Sequence, residues 1–444
     1  MATIIYPPAP ALSPPGFRAR IAAARARTDE LFDRVDPSAL YGRPIPERHR
    51  MIFYLGHLEA FDWNLIGAHA LERPALDPTL DRLFAFGIDP VAGDLPADSA
   101  ADWPARDEIV RYVQRVRAAL DELLERSAWS ALPSQLDPSI LLHVAIEHRL
   151  MHAETLAYML HQLPPSRKLP GPIPAPPFGP PPTPAMIEVP AGIATLGMTR
   201  ASPEFGWDNE FEAHSVRVPA FAIDVTKVTA GEYLAFVAAG GYADPAHWTA
   251  EDWDWNQGRG ITHPSFWIPR DGEWLIRTQF GAIPLPHAWP VYVSHAEASA
   301  YARWAGKRLP TEAEWHRAAF GTKASGERFY PWGNDPPRPE HGHFDFQGWD
   351  PLPVDAHPGG QSAFGALGML GNGWEWTRTP FEPFPGFTPF PFYPGYSADF
   401  FDGRHFVMKG ASPRTAACML RRSFRNWYQG HYGYIYAGFR CVQD

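Results

Sequence analysis

Apolar positions in the first part of the chain recur every three to four residues, the period of a helix with one buried face. Four stretches carry this pattern and predict helices over 16–35, 46–72, 107–128 and 138–163. Pro46 suits a first helical turn, where a missing N–H costs nothing. Asp137 followed by Pro138 reads as the N-cap and first turn of the fourth helix. Four helices of this length predict a four-helix bundle. The connection over 73–106, rich in Pro, Asp and Ala, is expected to form a lid or crossover.

The pattern stops at 164–185 (PPSRKLPGPIPAPPFGPPPTPA). Proline lacks the N–H that helix and sheet interiors need and favours polyproline II, a semi-stiff spacer. The expected domains are therefore 1–163 and 186–444, with 164–185 as linker. From residue 186 short β-like runs (MIEVPAGIATLGM, HSVRVPAFAIDVTKVT, HFVMKGAS) alternate with Gly, Pro and aromatic residues, and helices are expected over 294–305 and 311–320. This pattern describes an irregular α+β domain that depends on buried aromatics.

A length of 444 residues exceeds one ordinary core, in line with two domains. Of the 17 tryptophans all but three follow residue 200, so the halves differ in kind. A net charge of −10 without a basic stripe argues against a nucleic-acid partner. No apolar run approaches the ~18 residues of a membrane span. The N-terminus has no basic segment before an apolar one, so no leader is expected and the cytoplasm is the expected compartment. Two cysteines, Cys418 and Cys441, argue against a disulfide scaffold or a multi-cysteine metal site.

The chemistry-bearing residues are histidines. His148 and His152 lie four apart in the fourth helix, on one face and roughly 6 Å from each other. His57, midway along the second helix, offers a third nitrogen from a facing helix, as bundle metal sites do. Three neutral imidazoles leave coordination positions open, and they suit iron, zinc, copper and nickel alike. Glu154 points away from the His148/His152 face and fits a supporting partner or a salt bridge better than a ligand. The same spacing also arises in helices that bind nothing, and His143 and His161 share this helix.

His148-x-x-x-His152-x-Glu154 with the upstream Gly56-His57 resembles the metal motif of the ergothioneine sulfoxide synthase family, whose first domain is a DinB-like bundle. The second half is similar to the formylglycine-generating-enzyme (C-type-lectin-like) fold. The stretches that carry this are VTAGEY (228–233), PVYVS (290–294), WAGKRLPTEAEW (304–315), PWGN (331–334), GNGWEWT (371–377), KGAS (409–412) and GFRC (438–441). The combination resembles the ergothioneine sulfoxide synthase and selenoneine synthase family. The resemblance implies iron(II) on His57, His148 and His152, O2 as co-substrate, and oxidative joining of sulfur or selenium to the imidazole of hercynine. Formylglycine-generating enzymes use a cysteine pair near the C-terminus. Here the matching region holds Cys418 alone, so no pair mechanism is expected and Cys418 is expected to be a small buried apolar residue.

The family pattern further implies a catalytic tyrosine in FPGFTPFPFYPGYS, at Tyr393 or next at Tyr396. It places the trimethylammonium end of hercynine against Asn426 and Trp427, the latter through a cation–π contact. Met151 stands where many relatives have a glutamine that bonds substrate. Relatives that use γ-glutamylcysteine carry arginines after the second helix and an aspartate after the Asn-Trp pair. This chain has no arginine over 84–96, and Tyr428 follows Trp427. A selenosugar donor, with a stacking face from Tyr428, Tyr432 or Tyr434, is therefore expected ahead of a dipeptide. The stretch 48–62 (RHRMIFYLGHLEAFD) is similar to the selenoneine synthase branch. The alternatives are an ergothioneine-type synthase that takes cysteine or another thiol, a non-enzymatic metal-binding stress module, and a zinc-dependent thiol transferase. The sequence sets neither oligomeric state nor an additional ion in the second domain.

Overall fold

The computed structural model describes residues 14–85, 97–126, 137–176, 178–324 and 326–444. The expectations about the leader, most of the arginine-free stretch 84–96 and the end of the third helix at 127–128 lie outside those residues. The chain divides into two compact units. One runs to Gly171 and includes Pro203–Phe205; the other takes Pro172–Ser202 and Gly206–Asp444.

The first unit is helical: α1 (Pro14–Phe32), α2 (Met51–Asp62), α3 (Pro78–Leu83), α4 (Arg106–Arg126) and α5 (Pro138–Gln162). Both α2 and α5 bury side chains on nearly every face, so they form the interior, while α1 packs along α5 and α4 along α2. Asp137 caps α5 by accepting from the Ser139 N–H. The second helix starts at Met51 rather than Pro46. The preceding loop satisfies its first N–H groups, with Met51 N bonding Gly42 O at 3.1 Å and Ile52 N bonding Leu40 O at 2.7 Å. Past Asp62 the chain continues in π-helical turns over Trp63–Ala70. The 73–106 connection contains α3, whose N-cap Asp77 accepts from the Thr79 and Leu80 N–H groups. The start of the proline-rich stretch folds onto the bundle: Leu169 N bonds Arg34 O at 2.8 Å and Asp36 N bonds Arg167 O at 3.0 Å.

Among its described residues the second unit mixes short helices with four small sheets. Strands β1 (Met186–Val189), β2 (Gly192–Leu196), β3 (His214–Val218) and β4 (Phe221–Asp224) lead into helices α6 (Ala230–Ala238) and α7 (Ala250–Arg259). Then come β5 (Trp267–Arg270), β6 (Glu273–Arg277), β7 (Ala282–Pro284), α8 (His295–Trp304) and α9 (Glu312–Phe320). The chain closes with β8 (Gly373–Pro380), α10 (Gly395–Ala398), β9 (His405–Ala411), β10 (Asn426–Gln429), β11 (Ala437–Gly438) and β12 (Val442–Gln443). The central sheet runs β10-β9-β8-β11.

The quoted motifs are the structural joints of this unit. Thr229, Ser294 and Thr311 open α6, α8 and α9 with capping boxes to Glu232, Glu297 and Glu314. Gly371, Asn372 and Gly373 all have positive φ (93°, 59° and 116°), a turn that side chains with Cβ adopt rarely, and it feeds straight into β8. Within β8 the buried Glu375 carboxylate takes Arg440 (2.6 and 2.8 Å), Lys227 (3.0 Å) and the Trp315 indole N–H (2.9 Å). Cys441 is buried, whereas Cys418 is exposed and not buried as expected. Cys418 lies on the one-turn helix Ala417–Met419, which directs Met419 into the core instead.

Candidate metal centre

Helix α2 supplies His57, and one face of α5 supplies His148 and His152. All three are buried, and one nitrogen from each lies within 4.8 Å of the other two. The ring centroids are 5.3 Å apart for His57 and His148, 5.0 Å for His57 and His152, and 4.5 Å for His148 and His152. Nε2 of His148 and Nε2 of His152 approach to 3.2 Å. Two ring nitrogens at that distance share either a proton or a cation. Glu154 is half-buried and stands outside the cluster.

The electrostatics favour neutral donors. Burial pushes His57 down to about 4 despite the hydrogen bond from its Nδ1–H to Phe84 O at 2.7 Å. Burial and the neighbouring imidazoles hold His148 and His152 well below the ordinary histidine range. Since the Phe84 carbonyl can only accept, Nδ1 of His57 carries the proton and Nε2 presents its lone pair. That Nε2 is buried without a hydrogen-bond partner. Ring planes are fixed by stacking, Phe53 on His57 (4.7 Å) and Phe61 on His148 (3.5 Å). A buried lone pair aimed at two converging imidazoles fits a divalent transition-metal ion.

Sequence reasoning missed what surrounds these histidines. Arg149, directly after His148, is buried and reaches Asp62 at 2.7 Å, Glu59 at 3.0 Å and Leu58 O at 3.0 Å. Glu59 also takes Arg117 at 2.8 Å, and Arg117 forks onto Asp29 with two bonds of 2.7 Å. Burial pushes the Glu59 carboxyl up, and the guanidiniums of Arg149, Arg117 and Arg25 more than reverse it. The sequence signal was present: an arginine and two acids inside the two helices that form the interior of the bundle, which tolerate charge only when it is paired.

The remaining expected site residues divide between the two units. Met151 is half-buried on α5. In the second unit, Tyr396 is buried between Trp207 (4.0 Å, stacked) and Trp427 (5.4 Å, edge-on), and half-buried Tyr393 lies 5.5 Å from Tyr396. Trp427 stacks on Phe381 at 4.1 Å. Strand alternation along β10 puts Asn426 and Tyr428 on the face opposite Trp427. Tyr428 stacks on Tyr432 at 5.2 Å, and Tyr434 meets Tyr432 edge-on at 5.1 Å. Among the described residues no helix is long and apolar enough to cross a membrane.

Residues 175–444 match the sulfatase-modifying factor enzyme 1-like domain, and residues 20–156 match the DinB superfamily. The chain is 37% identical to a hercynine oxygenase of Mycobacterium tuberculosis over 97% of this chain and 99% of that protein. It is 36% identical to a hercynine oxygenase of Mycolicibacterium thermoresistibile, over 95% of this chain and 93% of the relative. Ergothioneine biosynthesis protein 1 of Neurospora crassa is 29% identical over 91% of this chain and 55% of its own length.

Proposed function

The chain belongs to the hercynine oxygenase family, in which a DinB-like helical domain precedes a sulfatase-modifying-factor domain, and on that premise we propose that it is an iron(II)- and O2-dependent enzyme forming a carbon–chalcogen bond on the imidazole of hercynine. The observation that carries the reading is the buried, partnerless Nε2 of His57 converging with His148 and His152. Bound iron(II) would supply redox equivalents and adjacent open positions for substrate and O2.

The protein's own residues have separable tasks. The three imidazoles stay unprotonated because burial disfavours their charged forms, so their lone pairs are available across the neutral range. The Phe84 carbonyl fixes the tautomer of His57. Tyr393 is the proposed proton or hydrogen donor in the oxidation, with Tyr396 as the second candidate. Trp427 is the proposed cation–π contact to the trimethylammonium end of hercynine, Asn426, on the other face of β10, a proposed polar or water-bridged contact, and Met151 a further substrate contact.

For the second substrate we favour a selenosugar, which makes the enzyme a selenoneine synthase. Tyr428 and its stacked partner Tyr432 give an uncharged aromatic surface where a zwitterionic dipeptide would need an anion. A thiol donor such as cysteine is the second reading, favoured by the ergothioneine assignment of the Neurospora relative. The deciding experiment incubates the iron-loaded enzyme and hercynine in air with a selenosugar, cysteine or γ-glutamylcysteine and weighs the products. A selenium adduct formed in preference supports the first reading, and turnover of a thiol alone replaces it with the second. No iron uptake and no O2 consumption with any donor would sink both.

A further inference from the structure

Gly56 directly precedes His57 on α2, and a Cβ there would fall 2.5 Å from three ring atoms of Phe84. Other rings hold the Phe84 ring on several sides, so it yields to a Cβ only by shifting its backbone with it. The ring is fully buried, stacked at 6.1 Å on Trp103 and 5.9 Å on Tyr112, with Phe53 at 6.3 Å. Its backbone is equally constrained: Phe84 N bonds Leu80 O at 3.0 Å, and Asp81 in α3 accepts from the Tyr112 hydroxyl at 2.7 Å. The same Phe84 presents the carbonyl that takes the His57 Nδ1–H at 2.7 Å.

We propose that Gly56 and Phe84 act together as a positioning pair for the metal centre, the missing side chain at 56 letting the Phe84 carbonyl come close enough to lock His57 as the Nδ1–H tautomer. This inference rests on the three-histidine metal reading. With the carbonyl in place, Nε2 has its lone pair free and the ring cannot swing about its Cβ–Cγ bond without losing the bond at Nδ1. With a methyl group at 56 the ring of Phe84 must move, and its carbonyl moves with it. The tautomers of His57 then become alternatives, and only one of them presents Nε2 as a donor to a metal.

The test uses the full-length chain stripped of metal. Anaerobic titration with Co(II), followed by visible absorption, gives affinity; nitrogen chemical shifts of the chain labelled with 15N-histidine give the tautomers, with His57 identified by the signal absent from His57→Asn. Gly56→Ala is expected to weaken Co(II) binding by roughly 10–100-fold and to lose the pure Nδ1–H form of His57. Adding Phe84→Leu to Gly56→Ala makes room for the methyl while keeping the backbone carbonyl, and is expected to recover most of the affinity. A pure packing role would lower the stability of Gly56→Ala but leave affinity and tautomer unchanged, which overturns the inference. If Gly56→Ala does not fold, the double variant decides: near-wild-type affinity upholds the pairing and a tenfold loss overturns it. Wild-type protein that takes up no Co(II) overturns the metal reading and this inference with it, whereas equal binding by wild type and Gly56→Ala overturns this inference alone.

Discussion

Nη2 of Arg149 lies 2.7 Å from Oδ2 of Asp62, joining the residue after one histidine of the cluster to the last residue of the helix that carries another. Both side chains are almost completely buried, as is Glu59, which shares the same guanidinium. An ion cluster of this kind sets which turn of α2 faces which turn of α5, because any slip of one helix separates charges that water cannot reach. Removing the cation alone is costly, since the carboxylates stay behind. Arg149→Met is expected to destabilise the metal-free protein by about 3–5 kcal/mol, read from urea unfolding. Arg149→Lys should recover only part of this, because a point charge cannot reach Asp62, Glu59 and Leu58 O together. A loss below about 1 kcal/mol in Arg149→Met would mean that the cluster does not hold the helices in register.

The histidine cluster itself is expected to trade stability for binding. Nδ1 of His152 is buried without a hydrogen-bond partner, and its Nε2 crowds His148. His152→Leu removes an unsatisfied polar group, so the metal-free variant should be more stable than wild type by about 1–3 kcal/mol. Its affinity for iron(II) should fall by more than about 100-fold, with one of three donors gone. Thermal unfolding without metal, and metal analysis after reconstitution, measure the two effects separately. Lower stability together with unchanged metal content would contradict both halves.

The catalytic tyrosine proposal separates cleanly by environment. Tyr396 is packed between two tryptophans, so its ring is needed for the local core, while half-buried Tyr393 is less constrained. Tyr393→Phe is expected to lower turnover about 10²–10⁴-fold with little change in apparent Tm. Tyr396→Phe keeps the ring and should lose less than about tenfold. Single-turnover O2 consumption with hercynine bound checks both. Full activity in Tyr393→Phe with a large loss in Tyr396→Phe would move the role to Tyr396.

The parts of this protein readable from sequence are those set by local rules. Helix period placed His57, His148 and His152 on facing elements, and the helices expected from 294 and 311 start within a residue of α8 and α9, which Ser294 and Thr311 cap. What stayed hidden depends on long-range partners. The true start of α2 follows from N–H groups satisfied by Leu40 and Gly42, which a proline at 46 could not announce. The tautomer of His57 depends on a carbonyl 27 residues away. Cys418 looked like a core residue by type, but a one-turn helix gave the inward position to its neighbour Met419. Asn426 and Trp427 read as contacts to the same end of hercynine, yet a strand sends neighbouring side chains to opposite faces.

The aromatic face at Tyr428 bears on donor choice. Tyr428→Ala removes the partner stacked on Tyr432, and its KM for a sugar-linked donor is expected to rise about tenfold, while KM for hercynine stays near wild type. Initial rates at varied donor concentration measure this. Equal rises for both substrates would mean that Tyr428 supports the fold of the pocket rather than the donor.

Buried histidines outside the three-histidine cluster should also cost the protein stability on the acid side. His343 is buried, and its Nε2–H donates to Asp350 O at 3.0 Å. Burial lowers its pKa to about 4, and nearby His357 and Arg414 push the same way. His295, stacked on Phe406 at 3.7 Å, is likewise lowered to about 4 by burial. In the unfolded chain both rings return to the ordinary value near 6.5. Between pH 6.5 and 4 the unfolded chain therefore binds protons that the folded chain does not, and stability falls as pH falls. The contribution is complete above pH 6.5 and is lost through pH 4. His343→Gln keeps an N–H donor but cannot titrate, so the acid limb of its curve of unfolding free energy against pH should be shallower by up to about 1.4 kcal/mol per pH unit, one proton's worth. Thermal unfolding of both metal-free proteins from pH 4 to 8 at constant ionic strength checks this. Parallel curves would mean that His343 takes up its proton without unfolding, and that its burial does not set the acid limit.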